Sequence, residues 1–141
     1  MGEVMVIEGG CLCGRVRFRI EGEPMMSGRC CCQACQKLSG AGNTENLAFA
    51  ESAFTVEGQT ADYNWTADSG GSVTTSFCPN CGSPLFGRST SMPGMKMVRA
   101  GALDDPGLYA PQMMVYAKRR HAWVQHDERL PAFAAMPPMG G

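Results

Sequence analysis

No apolar run in this sequence approaches the roughly 18 residues that a membrane-crossing helix needs, so no such span is expected. Neither sign of charge dominates. Twelve basic and 13 acidic residues leave a net charge of −1, without the basic excess typical of nucleic-acid ligands. The opening residues, MGEVMVIEGG, have no basic segment and only a short apolar run, so a signal peptide is not expected. The expected compartment is therefore the cytoplasm, where thiols stay reduced. Sustained helical periodicity is missing, and so are internal repeats and linker-like stretches. The 141 residues thus read as one domain, 1–141, with a frayed tail over 134–141 (AAMPPMGG). Histidine is scarce as well, with only His121 and His126 present.

Short alternating segments separated by glycine-rich turns are what the chain does contain. In RVRFRI, Val16, Phe18 and Ile20 alternate with Arg15, Arg17 and Arg19, giving one apolar and one charged face. Further strands are expected at 4–8, 46–50, 54–57, 61–66, 72–77, 84–87, 95–101 and 112–117, with one short helix at 33–38. Turns such as Glu57-Gly58, Ser69-Gly70-Gly71 and Asp105-Pro106-Gly107 divide them. The pattern predicts an all-β domain of short antiparallel sheets with one helical turn.

Cysteine is plentiful for so small a chain, with 8 in 141. In a reducing compartment this favours metal binding over a disulfide framework. Cys11 and Cys13 lie in GGCLCG, two apart, which puts both thiols on one face of an extended segment. Cys78 and Cys81 lie in FCPNCGSPLF, the form of a zinc knuckle. Together the pairs predict a closed, structural four-thiolate zinc site. Two buried hydrophobic cysteines, or an iron–sulfur cluster, are the alternatives.

The remaining four thiols crowd into RCCCQACQKLSG. If the chain is extended there, Cys30 and Cys32 face one way and Cys31 the other. Cys32 and Cys35 then form C-x-x-C at the mouth of the helix, whose N-terminus favours thiolate charge. Cys30, Cys32 and Cys35 would hold a zinc with an open fourth position, the mark of a catalytic site. A three-thiolate zinc suits a sulfur ligand better than water, so addition of a thiol to a carbonyl, or its reversal, is the expected chemistry. On spacing alone two alternatives stay open: Cys31 as a fourth ligand, or thiols that are metal-free or oxidised.

The ordered set of C-x-C, C-C-C-x-x-C and C-x-x-C-G comes here with GGCLCGRVRF, CQKLSG, FCPNCGSPLF and GALDDP. It resembles the glutathione-dependent formaldehyde-activating enzyme family, which shares a domain with centromere protein V. The resemblance runs from Glu8 to about Phe133 and includes Pro111, Trp123, Asp127 and Leu130-Pro131-Ala132-Phe133. It implies a β-tent zinc fold, a structural zinc on Cys11, Cys13, Cys78 and Cys81, and a catalytic, more labile zinc on Cys30, Cys32 and Cys35. The implied activity is that of a carbon–sulfur lyase forming S-(hydroxymethyl)glutathione from glutathione and formaldehyde. The chain departs from the family at two positions. Cys31 stands where relatives carry histidine, and Met114 stands about where many carry another.

Other residues offer less. The run Lys118, Arg119, Arg120 and His121 can hold a carboxylate of glutathione or be a solvated strand end. Gln36, Lys37 and Ser39 follow the second cysteine cluster and can line its site. Tyr63, Trp65 and Trp123 read as packing groups, Asp104 and Asp105 as a turn, and the scattered methionines as packing. Two alternatives to the enzyme remain: a zinc-stabilised binding module without catalysis, and a redox or metal-handling protein using Cys31.

Overall fold

The alternation in RVRFRI becomes an edge of the core. Phe18 and Ile20 are buried, while Arg17 reaches Asp104 (2.8 Å) and Arg19 reaches Glu21 (3.2 Å) at the surface. A computed structural model describes residues 4–137. Its strands are β1 (Val6–Gly10), β2 (Arg17–Glu21), β3 (Met26–Cys30), β4 (Thr44–Ala50), β5 (Phe54–Glu57), β6 (Ala61–Thr66), β7 (Ser72–Phe77), β8 (Pro84–Ser89), β9 (Met95–Arg99) and β10 (Met114–Val115). The helix α1 (Gln33–Ser39) follows β3. The all-β expectation holds.

Two sheets result. One has the order β1-β2-β5 and the other β10-β3-β4-β9-β8-β7-β6. All pairings are antiparallel except β10 with β3. The core lies where the sheets meet: Ile7, Phe18 and Ile20 from the small sheet against Leu47, Phe49, Leu85, Phe86 and Val98 from the large one. Edge-on rings tie the two layers, with Phe18 and Phe86 centroids 6.0 Å apart and Phe49 and Phe54 6.1 Å apart. Lys96 closes one end of this cluster, its ammonium 4.0 Å from the Phe86 ring centre.

The differences from expectation have physical reasons. Strand β3 (MSGRC) carries no apolar alternation, so no strand is expected there. It forms because β4 and β10 bond both its edges. Gly28 permits this close approach, since a Cβ there would lie 2.9 Å from Met113 Cγ. The expected strand at 95–101 stops at Arg99, where Ala100–Ala102 forms a 3-10 turn. The expected strand at 112–117 shrinks to Met114–Val115, because Tyr116 adopts a left-handed backbone (φ 55°). Past Phe133 the chain is still paired: Lys118 N–H donates to Ala134 O (3.4 Å) and Tyr116 N–H to Ala135 O (3.2 Å). Residues 138–141 of the expected frayed tail lie outside the described residues.

Strand alternation gives the large sheet a second face. Leu47, Phe49 and Val98 point into the core, so Asn46, Ala48, Met97 and Arg99 point away from it. Phe86, at the junction of the layers, tests how far the fold rests on this packing. Truncation by Phe86→Ala should cost about 3–5 kcal/mol in chemical denaturation of the metal-loaded protein.

Candidate metal centres and the cavity between strands

The first cysteine set joins the two sheets. Cys11 and Cys13 leave the end of β1, and Cys78 and Cys81 occupy the turn from β7 to β8. All four sulfurs lie within 4.8 Å of one another. Cys11 and Cys13 sulfurs are 3.6 Å apart, and Cys13 and Cys78 sulfurs 3.7 Å. Four sulfurs about 2.3 Å from a tetrahedral zinc are about 3.8 Å apart, so the donor set fits that ion. These separations are far longer than a disulfide of about 2.05 Å, and all eight cysteines are free.

Backbone amides complete the setting. Val16 N–H donates to Cys11 Sγ (3.2 Å), and the N–H groups of Asn80 and Cys81 donate to Cys78 Sγ (3.4 Å each). Gly82 turns the knuckle with φ 77°, and its N–H bonds Cys78 O at 2.8 Å. Ser83 links the halves: its hydroxyl accepts from Leu12 N–H (3.0 Å) and lies 3.2 Å from Cys81 Sγ. This contact, with further bonds to Ser83 and Cys13 backbone, pulls the Cys81 thiol down to about 5. The serine two positions after the knuckle escapes sequence reasoning, though its place in CGSP is a usable signal.

The second set forms around the start of α1. Cys30 ends β3, Cys32 is the helix cap with extended backbone, and Cys35 lies in the first turn. Their sulfurs lie within 4.8 Å of one another. Cys35 N–H donates to Cys32 Sγ (3.3 Å), which fixes the claw. Hydrogen bonds from Cys30 and Cys35 bring Cys32 down to about 3. Cys30 is raised, by its contacts with Cys32 and Cys35 and then by burial. Cys35 rises to about 11: Cys30 draws it down, but Cys32 and burial outweigh that. Three crowded sulfurs thus share one negative charge by themselves, whereas a dication favours thiolate at all three. The chemistry of the donor set fits zinc here too.

Cys31 is not part of this claw. It is fully buried on the other side of the chain, packed with Met114 and Val124, and burial raises its thiol. A buried thiol of raised pKa is not a redox handle. Cys31 and Met114, the two departures noted above, therefore meet in one small apolar cluster.

The three sulfurs open into a cavity of about 500 Å³ on the outer face of the large sheet. Cys30, Cys32, Cys35, Lys37, Trp65 and Arg99 are among its lining residues. Arg99 comes from β9, opposite Asn46 on β4. Its Nη1 donates to Asn46 Oδ1, and Asn46 Nδ2 donates to Thr44 Oγ1 (2.8 Å). Thr44 is the cross-strand partner of Cys30, so the bonds run from the guanidinium to the residue beside the claw. Burial lowers the Arg99 pKa, and the three thiols oppose that. Tyr116 also lines the cavity, buried and with strained backbone. Its phenol is raised by burial and then by the cysteines.

Other expected candidates lie elsewhere. Gln36 bonds Cys31 O (2.9 Å) and Arg119 O (3.2 Å), and Ser39 bonds Ala41 N–H (3.0 Å), so of that trio only Lys37 lines the cavity. Lys118, Arg119, Arg120 and His121 do not line it. His121 stacks on Trp123 with centroids 5.4 Å apart. Asp104 is held by Arg17, and Asp105 accepts from Gly107 N–H (3.1 Å), as a turn requires. Arg99, Asn46 and Tyr116 were not singled out from sequence. The cross-strand register that makes Arg99 and Asn46 neighbours is the signal for the first two.

Two outcomes test the first centre. Ser83→Ala should weaken metal retention about 10- to 100-fold in competition with a chromophoric chelator. Acid should also loosen this junction in the metal-free chain. Because the Cys81 pKa is depressed in the folded chain, its contribution to stability is complete above the ordinary thiol pKa of about 8.5. That contribution is lost as pH falls through about 5, which thiolate absorbance followed during acid titration would show.

The chain is similar to known proteins over most of its length. The family described as "Glutathione-dependent formaldehyde-activating enzyme" matches residues 6–119. A Halomonas elongata protein named "Putative glutathione-dependent formaldehyde-activating enzyme" is 28% identical over 131 residues, covering 89% of this chain and 83% of its own length. A crystal structure of a Rhodobacter sphaeroides protein shares the fold, with TM-score 0.57 at 18% identity, over 89% of this chain and 98% of that one. With the family match spanning both cysteine sets, the chain belongs to the glutathione-dependent formaldehyde-activating enzyme family.

Proposed function

We propose that this protein is a zinc-dependent carbon–sulfur lyase of the β-tent type that joins a small thiol, glutathione or a similar one, to formaldehyde or a related small aldehyde. With glutathione and formaldehyde the product is S-(hydroxymethyl)glutathione. The observation that carries this reading is a three-sulfur claw at the wall of a cavity large enough for both reactants. Cys11, Cys13, Cys78 and Cys81 would hold a structural zinc, and Cys30, Cys32 and Cys35 a catalytic and more labile one. Zinc bound to the claw would keep a substrate thiol deprotonated at neutral pH and so supply the nucleophile.

The rest of the chemistry falls to the chain. The substrate sulfur bonds the carbonyl carbon, the C=O π bond breaks, and the proton lost by the thiol is restored to the oxygen. Tyr116 is the proton donor we assign, since its raised pKa keeps the phenol protonated beside the claw. Arg99 offsets charge: three thiolates around a dication leave one net negative charge, and the guanidinium balances it. Eight free cysteines suit a reducing compartment, in keeping with the cytoplasm. No helix of the described residues is long and apolar enough to cross a membrane.

Metal analysis should give two zincs per chain, with Cys32→Ser reducing the content to one. Exchange NMR of adduct interconversion should then be faster with wild type than with Cys32→Ser. Equal rates would overturn the reading and leave a zinc-stabilised binding module. Tyr116→Phe should keep both zincs and slow the exchange by about 100-fold.

A further inference from the structure

The face of the large sheet that lines the cavity is unusual for one turned away from the core. An antiparallel sheet with one face on a core commonly presents a polar second face. Here that face carries Met26 on β3, Met97 on β9, Val73 on β7 and Trp65 on β6, with Met92 and Met113 beside them. Cross-strand pairing sets Met26 against Ala48 and Ala48 against Met97, so the apolar strip continues from strand to strand. It adjoins the row of Gly28, Asn46 and Arg99, and the row of Cys30 and Thr44 lies beyond that one. Formaldehyde has no group that such a wall would recognise.

The cations of the cavity point the same way. Glutathione brings two carboxylates. Of the lining cations, Arg29 is paired with Glu45 (2.9 Å), and Arg99 is bonded to Asn46 and faces the claw. Lys37 is left, exposed on α1. One exposed lysine is a poor match for a dicarboxylate, whereas six apolar side chains match an alkyl or aryl group. Trp65 adds a polar mark: among the described residues its Nε1–H is buried without a partner, and it would donate to a ligand oxygen. Methionines let the wall adapt to the shape of what enters.

We infer that one reactant carries an apolar alkyl or aryl group, which the Met26–Met97–Trp65 face of the cavity binds while the reacting sulfur or carbonyl sits at the claw. This rests on the thiol–aldehyde reading and names its substrate class. The group can arrive on the thiol or on the aldehyde; the chemistry of recognition is the same.

The test uses the zinc-loaded protein carrying Trp123→Phe, so that Trp65 is the sole indole reporter. Fluorescence titrations compare glutathione, 2-mercaptoethanol and benzyl mercaptan, with benzyl alcohol as an inert aryl probe. Benzyl mercaptan should bind at least about tenfold more tightly than either polar thiol. Met97→Gln, which keeps the length of the side chain, should reduce that preference to about threefold or less. Exchange rates then separate the sources: preference for benzyl mercaptan with formaldehyde places the apolar group on the thiol, and preference for hexanal with glutathione places it on the aldehyde. Equal affinities of wild type for benzyl mercaptan and the polar thiols would overturn the inference, whatever Met97→Gln does. Tight binding of benzyl alcohol with no acceleration of any adduct would support the apolar site and overturn the lyase reading instead.

Discussion

The four sulfurs of Cys11, Cys13, Cys78 and Cys81 are the constraint on which the rest depends. They pin the end of β1, in the small sheet, to the turn between β7 and β8, in the large one. Cys13 and Cys78 are 65 positions apart, so closing that loop removes much freedom from the unfolded chain. The small sheet has three short strands, and hydrophobic contact is its other hold on the larger layer. A two-layer β domain of this size is modest in core, and a metal held at its junction would make metal binding part of folding. Ser83 shows how finely the junction is set, since one hydroxyl serves both halves.

With the sheets pinned, the large one has a committed inner face, and its outer face is free to be specialised. Register does the rest. Cys30 pairs with Thr44, Asn46 with Arg99, and Ala48 with Met97, so claw, cation and apolar wall follow one another along adjacent rows. A one-residue slip in β9 would send Arg99 and Met97 into the core and bring Lys96 and Val98 out. Site and core are thus written on the same strands at alternate positions.

Much of this was legible because the cysteine spacings carry their own geometry. C-x-C on an extended segment and C-x-x-C-G in a turn each aim two sulfurs at one point, and the cap position of α1 does the same for Cys32 and Cys35. The strands with alternating or β-branched residues were legible for a similar reason. Strand β3 was not, because MSGRC has no local signal and is a strand only through its neighbours. Arg99 and Tyr116 were hidden for the same cause. One acquires its role from a register partner, the other from a left-handed backbone that interrupts an otherwise ordinary strand. Non-local pairing is the part of the fold that a linear reading does not contain.

The pairing of β10 with β3 also brings Cys31 and Met114 together. Parallel register sets Met114 opposite Arg29 and Val115 opposite Cys30. Cys30 and Val115 therefore face the cavity, while Cys31 and Met114 face the opposite way and pack together with Val124. Both are fully buried. A single imidazole placed among those apolar neighbours would need a hydrogen-bond partner to offset its burial, and neither Cys31 nor Met114 is a strong one. Two apolar residues, by contrast, satisfy each other. Cys31 and Met114 form one packing unit behind β3, on the side away from the claw. Cys30, Cys32, Cys35, Arg99 and Tyr116 remain around the cavity, which no histidine of the described residues lines.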